Sequence, residues 1–503
     1  MSKRRAVATI PPRRPFRGRR LSQRRTPEDN VRTCAAWVVE RTLATRAPSS
    51  VFLDSALSRC DERDHNLLRE LSLGTLRWLR RLDDVIARAS NRRFDAIEPA
   101  LRAPLRVAAY QLLFMDRVPA HAAVNEGVEH ARRLTHRGGA SFTNGVLRRI
   151  ARDPQLASWP VEERDASRRL AIEMSHPDFL VARWVDRLGA DEAHRLLEAN
   201  NRPKAMQLLA FRDLGGRELL AESLIDEGIE LEPSAMSPMG LTVRAGNPLH
   251  SEAFRRGAFY IQDEASQAAA LIPPPQPGER ILDAAAAPGG KTFSLLAVEP
   301  AADVVMADVS PARLFTVRRN LVRLGRQVSV IAADAGRPPT ENHFDRVVLD
   351  LPCTGTGTLR KSPELKWRIS ESEIGRLRRQ SLRLLEGMAP LVSPDGYLVA
   401  ITCSLEPEEN EAVVDQFLAT HEQFSPLPLE DVLSYPLDRW IAGPGRWRVY
   451  PEADHDGFTV HVLVRRSSGI QLSLPQRSAA SAPGSQPVSA LFGLDLSRAG
   501  FSY

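Results

Sequence analysis

Apolar residues recur every three to four positions through the first third of the chain, a period typical of amphipathic helices. In VRTCAAWVVERTLA the spacing places Val31, Cys34 and Val38 on one helical face. The stretches DHNLLRELSLGTLRWLRRLDDVIARA, APLRVAAYQLLFM, VPAHAAVNEGVEHARRLT and SFTNGVLRRIAR repeat this period, without the alternation of a strand. Residues 29–153 are therefore predicted to form an all-helical domain of five or more helices.

Beyond residue 153 the period changes twice. AMQLLAFRD and GLTVRAG read as short strands around the helical stretch GRELLAESLIDEG, so residues 154–255 are predicted to hold linker helices and a small α/β module. Residues 256–467 alternate strands with helices, which predicts an α/β fold with a doubly wound, Rossmann-like sheet. Its predicted strands are RILDAA, DVVMADVS, VSVIAAD, FDRVVLDLP, GYLVAITCS and DGFTVHVLVRR, and a long helix is predicted over ESEIGRLRRQSLRLLEGMAPLV.

The bulk composition agrees with several globular domains. The chain has 503 residues, of which 43% are hydrophobic and 26% charged. No stretch approaches the ~18 apolar residues that a membrane span needs, and no apolar segment follows the basic N-terminus as it does in a secretory signal. The four cysteines are too few for a disulfide framework in a chain of this length. We therefore expect a cytoplasmic, reduced and monomeric protein that does not associate with a membrane.

The positive charge of the protein comes from its N-terminal tail. Residues 1–25 carry ten lysines and arginines and no acid, and removing them from the formal net charge of +6 leaves −4. A tail rich in arginine and proline binds nucleic acid electrostatically, or it is simply a solvated extension; the two interpretations are compatible. Residues 1–28 and the Ser/Pro/Gly/Ala-rich residues 468–503 are predicted to be disordered tails.

A glycine-rich turn follows the first strand of the predicted sheet. AAAPGGKT, residues 285–292, ends like a phosphate-binding P-loop, but Ala285 stands where that loop begins with glycine. Small side chains let a ligand approach the backbone, and amides at a helix N-terminus bind carboxylate as readily as phosphate. Asp308 ends the next strand, where an acid accepts hydrogen bonds from ribose hydroxyls, and Asp334 ends the third, within reach of an adenine amino group. These acids suit a nucleoside better than a triphosphate with magnesium.

Two cysteines fall at the carboxyl ends of predicted strands. FDRVVLDLPCTGTG carries Asp350 and Cys353, and AITCSLEPEEN carries Cys403, 50 residues further on. Both thiols are therefore expected at the ligand-binding edge of the sheet. A free thiol with a pKa of about 8.5 is only slightly ionised at neutral pH, so a reactive role needs help from Lys291 or from turn amides. Neither cysteine has a Cys or His partner at zinc-ligand spacing, and no metal site is predicted.

These motifs resemble those of a known family. DAAAAPGGKT, DLPCTGTG and TCSLEPEEN are similar to the stretches D-x-C-A-A-P-G-G-K-T, D-A-P-C-S-G-T-G and T-C-S-x-x-P-E-E-N of the bacterial 16S rRNA (cytosine-5)-methyltransferase B family, in the wider Sun/nucleolar-protein-two group. FYIQDEASQ, SHPDFLVARW and DGFTVHVLVRR also match, and AVNEGVEHAR with FTNGVLRRI resembles the antitermination factor NusB. The resemblance spans residues 30–466. The chain departs from the family at Ala285, where the family has cysteine, and at LAFR, where it has L-R-V-N.

The resemblance implies a class I methyltransferase that uses S-adenosyl-L-methionine to methylate C5 of a cytosine in 16S rRNA, free or in an early assembly intermediate, through a covalent cysteine–C6 adduct. Cys403 corresponds to the nucleophile, and Cys353 to a cysteine that helps to release the product. We expect Asp350, either protonated or hydrogen-bonded, to steady N3 and the amino group of the base, and burial would favour its protonated form. The predicted cofactor-binding residues are Ala285, Ala286, Ala287, Pro288, Gly289, Gly290 and Lys291 for the methionine end, Asp308 for the ribose and Asp334 for the adenine, together with Arg313 and Asp350.

Other functions are compatible with parts of this pattern. An enzyme of the same chemistry can act on tRNA or another RNA, and a non-catalytic NusB-like RNA-binding factor would leave the glycine-rich turn and both cysteines unexplained. Ala285 disfavours a P-loop ATPase. A DNA cytosine methyltransferase uses its Pro-Cys cysteine as nucleophile, whereas the paired cysteines and the NusB-like helices favour RNA. Taken singly, a tight turn, surface acids and buried cysteines also have purely structural explanations.

Overall fold

The computed structural model describes residues 30–45, 47–156, 165–337, 343–452 and 454–467. The predicted tails, residues 1–28 and 468–503, lie outside these ranges, and so does the nucleic-acid binding expected of the basic tail. Within the described ranges, no helix combines the length and the apolar character that crossing a membrane requires.

The N-terminal domain contains seven α-helices in its described residues. They are α1 (Val31–Thr45), α2 (Ser49–Leu57), α3 (His65–Arg77), α4 (Leu79–Ser90), α5 (Pro99–Phe114), α6 (Ala120–Leu134) and α7 (Arg137–Arg152). The apolar face predicted for α1 is buried, because Val31, Cys34 and Val38 lie in one core with residues of α3, α4 and α5. Helix α1 packs on α3 and α5, and α5 packs on α6. The all-helical prediction for this domain is confirmed.

Linker helices and a small antiparallel sheet follow. The helices are α8 (Ala166–Glu173), α9 (Asp178–Leu188) and α10 (Ala190–Asn201). The strands are β1 (Gln207–Ala210), β2 (Glu230–Pro233), β3 (Gly240–Ala245) and β4 (Phe259–Ile261), in the order β2-β3-β1-β4, with α11 (Gly216–Asp226) and α12 (Glu252–Arg255) between them in sequence. Strand β2 gives no signal in the sequence, because its ELEP segment is charged and mostly exposed. Strand β4 lies beyond residue 255, so the small sheet includes a strand from the segment that the sequence assigns to the next domain.

The large sheet has nine strands among the described residues. They are β5 (Arg280–Asp283), β6 (Asp303–Asp308), β7 (Ser329–Ala332), β8 (Phe344–Asp350), β9 (Val392–Thr402), β10 (Phe424–Pro426), β11 (Ile441–Gly443), β12 (Arg446–Val449) and β13 (Phe458–Arg465). The order is β11-β12-β13-β9-β8-β5-β6-β7, with β10 also paired to β13. Strands β5 to β9 are parallel, whereas β10 to β13 extend the sheet antiparallel. The predicted Rossmann-like sheet is confirmed.

Helices cover both faces of this sheet. Helices α13 (Glu264–Ala270) and α14 (Gly290–Val298) pack on one face, α16 (Glu371–Met388) and α17 (Glu411–Leu418) on the other, and α15 (Pro311–Arg323) packs beside α14 against the small sheet. The helix predicted to continue to Val392 is too long. It ends at Met388, because Pro390 has no backbone N–H for the helical ladder, and Val392 instead begins β9.

The strand order leaves a crevice at the carboxyl edge between β5 and β8. From β5 the chain winds outward to β6 and β7, and it then returns to β8 on the other side of β5. At such a reversal the connecting segments leave the sheet in opposite directions, and the gap between them binds ligands. Because β5 ends at Asp283, β8 ends at Asp350 and Cys403 follows β9, residues from three segments of the chain meet at this edge.

Candidate active site

The loop after β5 depends on one glycine for its shape. Gly289 has a φ of 115°, and a Cβ at this position would lie 2.4 Å from the ring of Phe293. Helix α14 begins at the next residue, so its first amides, which have no acceptor within the helix, lie at the carboxyl edge of the sheet. Thr292 Oγ1 donates to Asp283 Oδ2 at 2.7 Å and fixes the helix to the end of β5.

Asp283 is a fully buried carboxyl at the base of this loop. Burial raises its pKa to about 6; the hydrogen bond from Thr292 opposes this shift and the charge of Asp350 adds to it. Among the described residues, its Oδ1 atom has no hydrogen-bond partner. The backbone N–H of Ala285 lies close enough to the carboxyl to lower its pKa as well, so the base of the loop packs around Asp283.

Asp283→Asn is expected to change how stability depends on pH. A carboxyl whose folded-state pKa of about 6 exceeds its unfolded value of 3.8 adds stability at low pH, and that stability is lost as the pH rises through 6. Between pH 4.5 and pH 7.5 the free energy of unfolding of the wild type should fall by about 2 kcal/mol relative to that of the variant. Denaturant titrations of both proteins measure this, with Asp303→Asn, at an exposed carboxyl, as the control. A stability difference that stays constant with pH would contradict the assignment.

Asp308 ends β6 beside the same loop and is 1% exposed. Its Oδ2 accepts from Ala287 N at 3.2 Å and its Oδ1 from Ser310 N at 2.9 Å. Arg313 Nη2 donates to Ala287 O at 2.8 Å, and its guanidinium lies 3.4 Å from the Asp308 carboxylate. A carboxylate has about four lone-pair positions, so both oxygens keep capacity for further donors. The structure thus brings Asp308, Arg313 and the loop together.

Asp334 lies apart from these contacts. Strand β7 ends at Ala332, so Asp334 follows the strand by two residues instead of ending it as the sequence predicts. Its Oδ1 accepts from Gly336 N at 2.8 Å, and Arg383 Nη2 lies 3.4 Å away. A contact between Asp334 and an adenine ring stays a prediction.

Lys291 connects the β5 loop to the strand that precedes Cys353. Its Nζ donates to Asp350 Oδ2 at 3.2 Å and to Ser266 Oγ at 3.1 Å, and it lies 5.0 Å from the centre of the Phe458 ring. The Lys291 side chain is 8% exposed, whereas that of Asp350 is 38% exposed. The expectation that Asp350 is buried is therefore wrong: at the open edge of the sheet it is a partly exposed ion-pair partner.

The two cysteines lie in loops that leave parallel strands. The β8 loop, residues 351–369, carries Cys353, and the β9 loop, residues 403–410, carries Cys403. The two Sγ atoms are 3.5 Å apart. Both thiols are free and half-buried. The structure therefore brings together the two cysteines that the sequence places on one edge.

The contact between the sulfurs makes them chemically different. A hydrogen bond from the Cys353 thiol lowers the pKa of Cys403, and the same interaction raises the pKa of Cys353 well above its ordinary value. At Cys403, burial and the charge of Asp350 oppose the lowering, while the charge of Lys291 supports it. Cys403 is therefore the more acidic of the two thiols.

Hydrogen bonds also connect the two cysteine loops. Gly357 N donates to Cys403 O at 2.9 Å, and Thr354 donates to Glu409 through its backbone N at 2.9 Å and its hydroxyl at 2.6 Å. Ser266, Thr354 and Glu409 carry no separate signal in the sequence, although FYIQDEASQ, DLPCTGTG and TCSLEPEEN contain them. Their role depends on neighbours that only the fold supplies.

Three family models match the chain in order along its length. The NusB family matches residues 29–152, a Methyltr_RsmF/B-like ferredoxin-like domain matches residues 176–250, and 16S rRNA methyltransferase RsmB/F matches residues 270–464. The last of these ranges contains the β5 loop, Asp308, Asp350, Cys353 and Cys403.

Similar proteins cover most of the chain. The ribosomal RNA small subunit methyltransferase B of Salmonella paratyphi B is 34% identical over 396 residues, which is 78% of this chain and 90% of that protein. The probable ribosomal RNA small subunit methyltransferase B of Bacillus subtilis is 31% identical over 440 residues, 86% of this chain and 98% of that protein. The crystal structure of PH0851 is 27% identical, covers 87% of this chain and 99% of its own, and has a TM-score of 0.71.

Proposed function

Because the chain belongs to the RsmB/F family of 16S rRNA methyltransferases and has a NusB domain, we propose that it transfers a methyl group from S-adenosylmethionine to C5 of a cytosine in 16S rRNA. The observation that carries the proposal is the pair of sulfurs 3.5 Å apart, with Cys403 as the more acidic thiol. Activation of a pyrimidine by a covalent bond needs a thiolate, and release of the product benefits from a second group beside it.

Cytosine C5 is too weak a nucleophile to take a methyl group without activation. The thiolate of Cys403 adds to C6, and the electron pair of the C5–C6 double bond then makes C5 nucleophilic. Asp350 accepts a hydrogen bond from the exocyclic amino group. Lys291, 3.2 Å from Asp350, stabilises the negative charge that builds at N3.

Release requires removal of the C5 proton, after which the electrons of that C–H bond expel Cys403 from C6. Cys353 is our candidate for assisting this step. Its pKa is raised while it donates to the neighbouring sulfur. Once Cys403 is bonded to carbon it loses its charge, and the pKa of Cys353 falls. Cys353 can then release its proton to water, and the resulting thiolate accepts the C5 proton as Cys403 leaves C6.

The residues around the β5 loop fit S-adenosylmethionine, which when bound supplies an electrophilic methyl group. Both oxygens of Asp308 retain acceptor positions for ribose hydroxyls. The amides at the start of α14, which have no acceptor within the helix, suit the carboxylate of the methionine part. Arg313 holds the loop through the carbonyl of Ala287.

The target base must leave its stack before it can react, at a cost of a few kcal/mol. The NusB domain and the small sheet are proposed to supply RNA contacts that offset this cost. The partner is 16S rRNA, free or in an early assembly intermediate, and the protein acts as a monomer in the cytoplasm. The names of the similar proteins support the choice of RNA.

The function is tested by incubating the full chain with methyl-labelled S-adenosylmethionine and 16S rRNA made in vitro, with tRNA and 23S rRNA in parallel reactions. We expect label in the 16S rRNA, and bisulfite sequencing to identify the modified cytosine. Label confined to tRNA would support the alternative substrate. Cofactor binding without transfer to any RNA would contradict the proposal and favour a non-catalytic RNA-binding factor.

A further inference from the structure

The two cysteine loops contact the N-terminal half of the chain as well as each other. Leu359 of the β8 loop and Leu405 of the β9 loop lie in one core cluster with Trp184 of α9 and Leu197 of α10. The linker helices therefore pack directly against both loops that carry a reactive sulfur.

Glu406, three residues after Cys403, is a fully buried carboxylate held by α9. Its Oε1 accepts from Trp184 Nε1 at 2.9 Å, its Oε2 accepts from Arg183 Nη2 at 3.1 Å, and Arg187 Nη1 lies 3.7 Å from Oε2. A buried carboxylate that loses its partners is strongly unfavourable. The β9 loop therefore keeps its position only while α9 stays docked.

Lys366 of the β8 loop is a fully buried lysine whose amino group lies at the ends of several helices. Its Nζ donates to Arg77 O at 3.2 Å, to Ser175 O at 3.3 Å and to Asn201 Oδ1 at 2.6 Å. Arg77 is the last residue of α3, Asn201 is the last residue of α10, and Ser175 closely follows α8. Burial and the charge of Arg77 lower the pKa of Lys366 well below its ordinary value. Three acceptors around Nζ, two of them backbone carbonyls near helix C-termini, nevertheless connect the β8 loop to these helices.

Lys366 follows Leu365, whose side chain packs on the Gly355 turn near Cys403. A Cβ on Gly355 would lie 2.9 Å from Leu365 Cδ1 and 3.8 Å from Cys403 Sγ. The residue next to Lys366 in sequence therefore contacts the turn that directly follows Cys353 and lies beside Cys403 Sγ.

We propose that Lys366 and Glu406 are positioning residues, which fix both cysteine loops to the N-terminal half and so set the separation and ionisation of the Cys353–Cys403 pair. The N-terminal helices then form part of the active-site scaffold in addition to their proposed contacts with RNA. The effect on methyl transfer rests on the proposed function, whereas the effect on the thiols does not.

Lys366→Met in the full chain tests this inference, because methionine keeps most of the volume and removes the amino group with its three hydrogen bonds. We expect kcat to fall about 10²-fold, as for a misplaced reacting group, with a smaller change in the KM for RNA. The rate of Cys403 alkylation by iodoacetamide, measured by mass spectrometry, increases with pH as the thiol ionises. The midpoint of this increase should lie about one pH unit higher in the variant than in the wild type.

Arg346→Met is the matched control. Arg346 is a buried cation of the same domain, paired with Glu279 at 2.8 Å at the opposite end of β8. The Arg346→Met variant should be less stable than the wild type, while its kcat and the pH profile of Cys403 alkylation stay near the wild-type values. A wild-type profile for Lys366→Met, or an equal shift in Arg346→Met, would overturn the inference. A shifted alkylation profile in a chain that transfers no methyl group would refute the proposed function and leave this inference standing.

Arg183→Met provides a second route if Lys366→Met does not fold. The Arg183 side chain is 27% exposed, so its replacement is better tolerated, and it removes a partner of Glu406. We expect the same direction of change in kcat and in Cys403 alkylation. Arg195→Met, at an exposed arginine that pairs with Glu192 within α10, should leave both unchanged. Identical behaviour of the two arginine variants would count against a role for α9 in positioning the β9 loop.

Discussion

Replacing Cys403 with alanine is expected to abolish methyl transfer while S-adenosylmethionine still binds. Without the sulfur no covalent bond forms at C6, and C5 remains unreactive, so kcat should fall on the order of 10⁴-fold or more, as when a covalent nucleophile is removed from other enzymes. Cofactor affinity should persist, because Asp308, Arg313 and the β5 loop are connected by hydrogen bonds that do not involve Cys403. Isothermal titration measures the affinity, and transfer of labelled methyl groups to 16S rRNA measures the activity.

Two controls make the result specific. Cys403→Ser keeps the shape of the side chain but offers a hydroxyl that is hardly ionised, so it should be nearly as inactive as the alanine variant. Cys60→Ala removes another half-buried free thiol, in the N-terminal domain, and should retain full activity. Substantial methyl transfer by Cys403→Ala would exclude Cys403 as the nucleophile.

Cys353→Ala is expected to trap the enzyme on its RNA. Cys403 can still add to the base, but the group that assists release is missing, so turnover should fall by about 10²-fold or more. A protein–RNA adduct should then appear as a slow-migrating band on a denaturing gel. The adduct should form faster at higher pH, because the alanine also removes the thiol donor that lowers the pKa of Cys403.

Cys353→Ser separates the two roles assigned to this residue. A serine hydroxyl can donate a hydrogen bond to Cys403, but it does not readily accept and return a proton at neutral pH. We expect Cys353→Ser to accumulate adduct near neutral pH, where Cys353→Ala is slower to form it. The double variant Cys353→Ala, Cys403→Ala should form none. Normal turnover without any adduct in the single variants would rule out the release role of Cys353.

The sequence predicts the parts of this fold in which local pattern and tertiary environment agree. The N-terminal helices and the parallel strands β5, β6, β8 and β9 have clear periodicity, because one face of each helix and both faces of these strands are buried. Short edge strands are a different case. Strands β10, β11 and β12 have three or four residues each, and pairing with β13 or with one another defines them more than any pattern of their own.

The candidate site was predictable to the extent that strand ends carry its chemistry. Because β8 and β9 are parallel neighbours, their ends place Asp350 and Cys403 at the carboxyl edge of the sheet, whatever conformation the following loops adopt. The ion pair between Lys291 and Asp350 was not predictable, since it depends on where α14 and β8 meet. Lys366 and Glu406 likewise look like surface charges in the sequence, because their partners, such as Arg77 and Trp184, are hundreds of residues away.

The contacts of Lys366 can form only late in protein synthesis. Lys366 and Arg77 are 289 residues apart, so a ribosome working at about 5–20 residues per second makes the end of α3 roughly 15 to 60 s before the lysine that joins it. Gly457 N, which donates to Gly357 O at 2.7 Å, emerges later still. The N-terminal helices are thus made long before the segments that carry Cys353 and Cys403. A translation product that stops short of residue 457 contains both cysteine loops but lacks the hydrogen bond from Gly457 N to Gly357 O in the β8 loop.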